Sequence, residues 1–418
     1  MDALPADDHV SATGPSAAPT PTDARLSQPI LAGVVASFVG FASTFAVVLS
    51  GLRAVGATAD QAASGLLAIC VLMGLLTIAL SVQAKMPVLL AWSTPGAALL
   101  VSAGHVDGGY AAAVGAFAVC GALLALTGLW SGLGRLIARI PVPIASAMLA
   151  GVLLPLCFEP VRAAVDIPAS VGPVVVAWAV LGVVARRWAV LGALAVAIVV
   201  VVVSRPLHAG PTGALPVLRA VAPTFTPAAL IGIALPLFVV TMASQNVPGT
   251  AVLAAHGFRP SLRPVLVGTG GVTAAGAPFG VFAINLAAIT AALTAGEDAH
   301  PDPDRRWLAS GAAGVSYVVL GLGAGLATAL VTSAPAGLIE AVAGLALLGS
   351  LAASLTAALA DDDLREPALV TFVVSASGIT SLGISAAFWG LVAGLALLGI
   401  QRAGFLVGRR DATGAADR

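Results

Sequence analysis

Charge is what this sequence has least of. Only 9% of its 418 residues are Asp, Glu, Lys or Arg, where a soluble globular chain carries roughly 25%. That deficit argues against a water-soluble enzyme and against a disordered protein. The formal net charge of zero leaves no basic or acidic domain to attract a nucleic acid or another polyanion. Cysteine is nearly absent as well. Cys70, Cys120 and Cys157 lie in apolar segments with no CxxC spacing and no neighbouring histidine, so they read as small buried hydrophobes and not as a disulfide frame or a zinc site. No HExxH, GxSxG or Walker pattern occurs, and no loop gathers acids and bases beyond the acidic 297–306 connection. The chain is therefore expected to be no enzyme and to hold no cofactor or metal.

What is present is apolar. Hydrophobic residues make up 59% of the chain, the mean hydropathy is +1.03, and there are 47 glycines against 5% aromatics. This is the composition of an all-α polytopic membrane protein, bathed in lipid, whose helices approach closely through small side chains. A crossing helix needs about 20 apolar residues. Uncharged runs of that order fall at 28–52, 59–82, 86–104, 108–133, 140–158, 167–185 and 188–204, and again at 225–246, 261–276, 278–295, 307–330, 335–360, 367–383 and 385–401. The expected organisation is a disordered leader over 1–27, a first seven-span unit over 28–204, a connecting loop over 205–224, a second seven-span unit over 225–406 and a tail over 407–418. The last hairpin, with 35 uncharged residues between Glu366 and Arg402, is the tightest fit to two crossings.

Fourteen spans with the N-terminus inside would put all but four of the 19 basic residues on the cytoplasmic face, leaving Arg53, Arg162, Arg205 and Arg219 outside. That is the asymmetry expected of cytoplasmic loops, and it predicts both termini in the cytoplasm. An odd number of spans per half threads the second half upside down. Such inverted repeats typify secondary transporters, whose substrate site lies near the bilayer midplane where the halves meet. Fourteen helices without internal symmetry is the alternative.

The third span of each half is broken. In Met86-Pro87-Val88-Leu89-Leu90-Ala91-Trp92-Ser93-Thr94-Pro95-Gly96, Pro95 removes a backbone donor and biases Thr94 out of the α region. A helix starting there would have Ser93 or Thr94 as N-cap and Pro95 in its first turn, preceded by an extended piece. In the second half, Gly276-Ala277-Pro278-Phe279-Gly280-Val281-Phe282-Ala283-Ile284-Asn285 lies in 33 uncharged residues, Pro264–Gly296, that must cross twice. A strand rising about 3.3 Å per residue covers the distance that a helix at 1.5 Å does not. Short extended pieces are thus expected in spans three and ten, with an ordinary kinked helix as the alternative at each.

Two half-helix N-termini facing each other would offer free amides and positive dipole ends to an anion such as a carboxylate. The expected contacts are Ser93, Thr94 and Gly96 on one side and Phe279, Gly280, Phe282 and Asn285 on the other. Span eight ends in Thr241-Met242-Ala243-Ser244-Gln245-Asn246-Val247-Pro248-Gly249, where Gln245 and Asn246 could add uncharged donors, or could simply form a polar helix end. Of the Phe38, Phe41, Phe45 stripe on span one, Phe41 is the candidate contact. Glu340, within the apolar stretch 336–348, is either a proton relay, since a buried carboxylate is costly unless protonated or paired, or a residue one turn from the outer membrane surface. An anion entering an inside-negative cell works against about 2.3 kcal/mol per charge per 100 mV, so accumulation calls for a co-transported cation, most economically a proton.

The segments Ala91–Gly96, Thr241–Gly249, Pro278–Thr290 and Glu340–Leu348 together resemble the bacterial benzoate/proton symporter family of BenE type, over about residues 25–405. The resemblance implies an inner-membrane carrier that takes up benzoate or a similar aromatic carboxylate with a proton. It also implies the seven-plus-seven inverted fold shared with uracil, xanthine and sulfate carriers, often dimeric. Uracil-type permeases look to carry glutamates in spans eight and ten, where this chain has Gln245, Asn246 and Asn285. Nucleobase or sulfate uptake on the same fold is the nearer alternative, and an anion channel the more distant one.

Overall fold

The computed structural model describes residues 27–130, 132, 140–204, 216–288 and 290–416. The expected leader up to residue 26, and residues 205–215 of the expected connecting loop, lie outside the described residues. The chain is mostly helical. In the first half α1 (Ser27–Ala54) and α2 (Ala59–Ala84) precede a three-residue strand, β1 (Leu90–Trp92), and then come α3 (Thr94–Ala103), α4 (Gly109–Leu129), α5 (Val142–Asp166), α6 (Pro168–Val184) and α7 (Ala189–Ser204). In the second half α8 (Pro227–Ala255) and α9 (Leu262–Gly276) precede β2 (Ile284–Leu286), followed by α10 (Ala291–Ala295), α11 (Trp307–Leu322), α12 (Ala324–Ser333), α13 (Leu338–Ala358), α14 (Arg365–Ala376) and α15 (Ala386–Ala416). Among the described residues seven helices are long and apolar enough to cross a membrane, or eight if α11 and α12, bent by 53° with respect to each other, count as one span. The chain is a multi-pass membrane protein.

Local chemistry accounts for the boundaries. Thr58 and Gln61 form a reciprocal capping box at the start of α2, with Thr58 N donating to Gln61 Oε1 at 2.8 Å and Gln61 N to Thr58 Oγ1 at 3.3 Å, which satisfies two of the orphan donors of the first turn. Lys85 ends that helix in the left-handed region at φ 52°. The bend after α11 falls at Gly323.

Packing is set by glycine. Helix α2 lies along α11, α9 along α4, and α13 along α5. Gly74 of α2 faces Gly314 of α11, and Gly270 of α9 faces Gly121 of α4. A Cβ added at any of the four would fall 2.5–2.7 Å from the partner glycine's carbonyl oxygen. Backbones this close exclude any larger side chain, and where lipid removes the hydrophobic drive between helices, close van der Waals contact supplies the association.

Candidate substrate site

The two broken segments meet. β1 and β2 pair antiparallel with Leu90 opposite Leu286, Ala91 opposite Asn285 and Trp92 opposite Ile284. Ser93 N donating to Ala283 O at 3.1 Å and Ala287 N donating to Leu89 O at 2.9 Å extend the ladder. The outward-facing amides of this ribbon find side chains on neighbouring helices. Leu90 N donates to Thr77 Oγ1 of α2 at 3.4 Å, Ile284 N to Thr273 Oγ1 of α9 at 3.1 Å, and Leu286 N to Asn246 Oδ1 of α8 at 3.0 Å. Irregular backbone at membrane depth persists only where protein satisfies it, and these three uncharged groups do so.

At the start of α3, Ser93 is the N-cap. Its hydroxyl oxygen accepts from Gly96 N at 3.0 Å and from the Thr241 hydroxyl at 3.2 Å, and Pro95 contributes no donor. The amides of this turn are largely engaged, which corrects the expectation of a bare helix end; α3 presents Thr94 to the cavity described below. A second correction concerns span ten. The half-helix end expected over Phe279–Phe282 does not form. Ala277–Phe279 continue α9 as a 3-10 turn, and Gly280 at φ 98° reverses the chain. The extended piece is 284–286, and the short helix starts only after Thr290. Phe279, Gly280 and Phe282 do not line the cavity described below. Phe282 is fully buried edge-on to Phe117 at 6.2 Å, Phe279 O accepts from Ser64, and Gly280 packs on Gly65 and Tyr110.

Helix α8 contains two π turns, Leu230–Ala234 and Met242–Asn246. Such turns widen a helix by one residue and recur at functional sites. The second divides the amide pair between two duties: Asn246, 3% exposed, is held under β2, its Nδ2 3.4 Å from Met242 Sδ, while Gln245 faces a cavity.

That cavity, about 230 Å³, is enclosed by α1, the ribbon, the starts of α3, α7 and α10, the π turn of α8, α11 and α13. It is slightly below the ~300 Å³ lower bound of ordinary small-molecule clefts, a size for one ring. One wall is aromatic: Trp92 lies edge-on to Tyr317 at 6.1 Å and to Phe41 at 5.9 Å, and Phe41 stacks on Phe45 at 5.4 Å. The indole is fixed because Trp92 Nε1 donates to Thr44 Oγ1 at 3.0 Å, and that hydroxyl donates in turn to Gly40 O at 2.9 Å. Polar lining comes from Ser43, Thr44, Thr94, Gln245, Thr290 and Ser350.

Of the residues expected from sequence, Thr94 and Gln245 line this cavity. Ser93, Gly96, Asn246 and Phe41 build the structure behind it. Asn285 is fully buried, directly opposite Ala91, which lines the cavity; its Nδ2 donates to Leu286 O at 2.9 Å, and its Oδ1 has no hydrogen-bond partner among the described residues. Glu340 lies in the first turn of α13, exposed, where its carboxylate accepts from Gly337 N at 3.2 Å. This is the placement near a helix end and not one inside the cavity. Thr44, Trp92, Thr290 and Tyr317 also line the cavity, and the sequence pattern alone does not single them out as contacts. Trp92 had a usable signal, a lone indole inside the broken motif; Tyr317 had none, since its contact is more than 200 residues away in sequence.

Residues 23–400 match the family described as benzoate membrane transport protein, BenE. The chain is 40% identical over 366 residues to inner membrane protein YdcO of Escherichia coli (strain K12), covering 87% of this chain and 93% of that protein. It is 30% identical over 371 residues to the benzoate membrane transport protein of Acinetobacter baylyi (strain ATCC 33305 / BD413 / ADP1), again 87% and 93%. Among solved structures, the fold is similar to the transmembrane domain of the cyanobacterial bicarbonate transporter BicA, with TM-score 0.56 and 15% identity over 89% of this chain and 98% of that one. It is also similar to SLC26A9, with TM-score 0.60 and 14% identity over 90% and 66%. The chain belongs to the BenE family of benzoate membrane transport proteins.

Proposed function

We propose that this protein is a secondary transporter that imports benzoate, or a similar aromatic carboxylate, with a proton across the bacterial inner membrane. The observation that carries the reading is the ring-sized cavity at the β1–β2 crossing, with Trp92 and Tyr317 as an aromatic wall and neutral polar groups around it. Aromatic pairs of this geometry favour a further ring in offset or edge-on contact, while Gln245 and Thr94 supply hydrogen bonds for a carboxyl group. Membership of the BenE family and the benzoate transport named for the A. baylyi relative support the substrate class.

The same reading includes fourteen spans in two inverted halves, both termini in the cytoplasm. Paired features recur at a nearly constant step of roughly 195 residues along the chain: Thr77 with Thr273, each on a strand amide, Gly74 with Gly270, Gly121 with Gly314, and Ala91 with Asn285. Antiparallel pairing of the two strands is what a two-fold axis in the membrane plane produces.

The test is uptake of radiolabelled benzoate into proteoliposomes under an inward proton gradient. Accumulation abolished by a protonophore is expected. Robust uracil or sulfate uptake with none of benzoate would overturn the substrate class, and conductance without accumulation would make the protein a channel.

A further inference from the structure

We infer that the species held in the cavity is the undissociated acid, so that the proton accompanying uptake travels on the substrate's own carboxyl group. This rests on the aromatic-carboxylate reading above and deepens it. Among the described residues no Lys, Arg, His, Asp or Glu contributes to the lining, and Tyr317 is the one titratable side chain there. The charged or titratable groups on the surrounding elements lie towards their ends. At 1.5 Å per residue, Arg53 is about 13 Å along α1 from Thr44, His256 about 16 Å beyond Gln245, and Glu340 about 9 Å from Ala346. Three carboxylates on these and neighbouring helices are engaged with cations or amides: Asp60 with Arg219 at 3.7 Å, Glu159 with Arg162 at 2.8 Å, and Glu340 with Gly337 N.

An ionised carboxylate entering such a site gives up its hydration with no counter-ion in exchange, whereas the neutral acid gives up no charge. Hydrogen-bond polarity points the same way. A carboxylate only accepts, whereas a carboxylic acid also donates once. Two of the hydroxyls in the α1 wall have their hydrogens committed to helix carbonyls, Ser43 to Val39 O at 2.6 Å and Thr44 to Gly40 O at 2.9 Å, so each can meet a ligand only as an acceptor, Thr44 while also accepting from the Trp92 indole. Asn285 Oδ1, fully buried and without a donor among the described residues, stands on the ribbon face shared by Ala91, and Ala91 and Ala287 both line the cavity. An acid O–H is the donor that the Asn285 oxygen lacks, and one that the two hydroxyl oxygens can accept. With a carboxyl pKa of about 4.3, roughly one ligand in 500 is undissociated at pH 7, and the site must prefer that form by more than this factor. The acid forms by protonation in the outer aqueous phase and dissociates to carboxylate and proton after release inside.

The test uses the full chain in nanodiscs, with binding read by tryptophan fluorescence from pH 5 to 8 for benzoate and for benzamide, which has the same shape and stays neutral. Benzoate Kd, counted on total ligand, is expected to rise close to tenfold per pH unit, about 10³-fold overall, while benzamide Kd stays constant. Calorimetry in buffers of different ionisation heat should show one proton taken up per benzoate bound at pH 7. A benzoate Kd independent of pH overturns the inference. So does a benzamide Kd that shifts in step with that of benzoate, which would put the proton on the protein, and so does failure of benzamide to displace benzoate. Absence of benzoate binding at every pH would remove the transport function itself, and this inference with it.

Discussion

Asn246 is the residue whose loss the geometry makes most legible. Its Oδ1 is the partner of Leu286 N at 3.0 Å, in a place that is 3% exposed for Asn246 and fully buried for Leu286. Asn246→Leu keeps the branched heavy-atom skeleton, with somewhat more bulk, and removes the acceptor, so a buried amide is stranded at a cost of about 1–3 kcal/mol. That is about a 5- to 150-fold shift in the equilibrium holding β2 in register. Because Ala287, Ala288 and Thr290, which line the cavity, follow β2 directly, the variant should lower the thermal transition of purified protein and weaken benzoate binding together. Asn246→Asp separates acceptor from charge. Protonated, it can still accept from Leu286 N; ionised, it buries a charge with no cation beside it. Burial raises the folded-state pKa above the unfolded value of about 3.9, so the folded state binds more protons and stability should fall as pH rises between those two values. Melting temperatures of both variants against pH provide the check. An Asn246→Leu protein with wild-type melting and wild-type Kd would refute the reasoning, because it would mean that the ribbon does not depend on this bond.

Three further outcomes are expected. Trp92→Phe and Thr44→Val each remove the 3.0 Å indole–hydroxyl bond; in a double-mutant cycle on benzoate Kd they should couple by about 1 kcal/mol, close to fivefold, and strict additivity would show that the bond does not shape the wall. Glu340→Gln retains an acceptor for Gly337 N and should leave proton-driven benzoate uptake within about twofold of wild type, as surface changes do; uncoupled uptake in this variant would return Glu340 to the mechanism. Gly314→Leu drives a side chain into the Gly74 carbonyl, 2.6 Å from the new Cβ, at about 1–3 kcal/mol or more, and should reduce the yield of monodisperse protein in size-exclusion chromatography, whereas Gly311→Leu, with open space at its Cβ, should not.

Much of the first broken segment is legible from sequence because its determinants are local. Ser93 as N-cap and Pro95 in the first turn are neighbours in the chain, and no distant partner is needed to read them. The second break misleads for the same reason. Pro278 imitates Pro95, yet a proline early in a 3-10 turn is equally compatible with the preceding helix running on, and only the positive φ of Gly280 marks where it ends. Three-residue strands are too short for a period of two to show, so the register Ala91 opposite Asn285, and with it the position of the cavity, is non-local information. So is the Trp92–Tyr317 wall. Glu340 carries a weaker local signal: it stands three residues after the helix-opening Gly337, where a carboxylate reaches back to the N-cap amide, which is the reciprocal half of a capping box and fits the reading of a residue near a helix end.

The neutral character of the site follows from the broken backbone that creates it. Two strands crossing inside a membrane protein leave amides at Leu90, Ile284 and Leu286 that must be paired there, because no water reaches them. Acceptors of either charge state would pair them, but a carboxylate would add an ion whose burial costs more than one amide bond returns. Thr77, Thr273 and Asn246 meet the need without charge. The cavity beside the ribbon is likewise lined by hydroxyls and an amide with no charged group among the described residues, so on the proposed reading any charge balance has to be carried either by the ligand itself or by groups near the helix ends, more than one helical turn away.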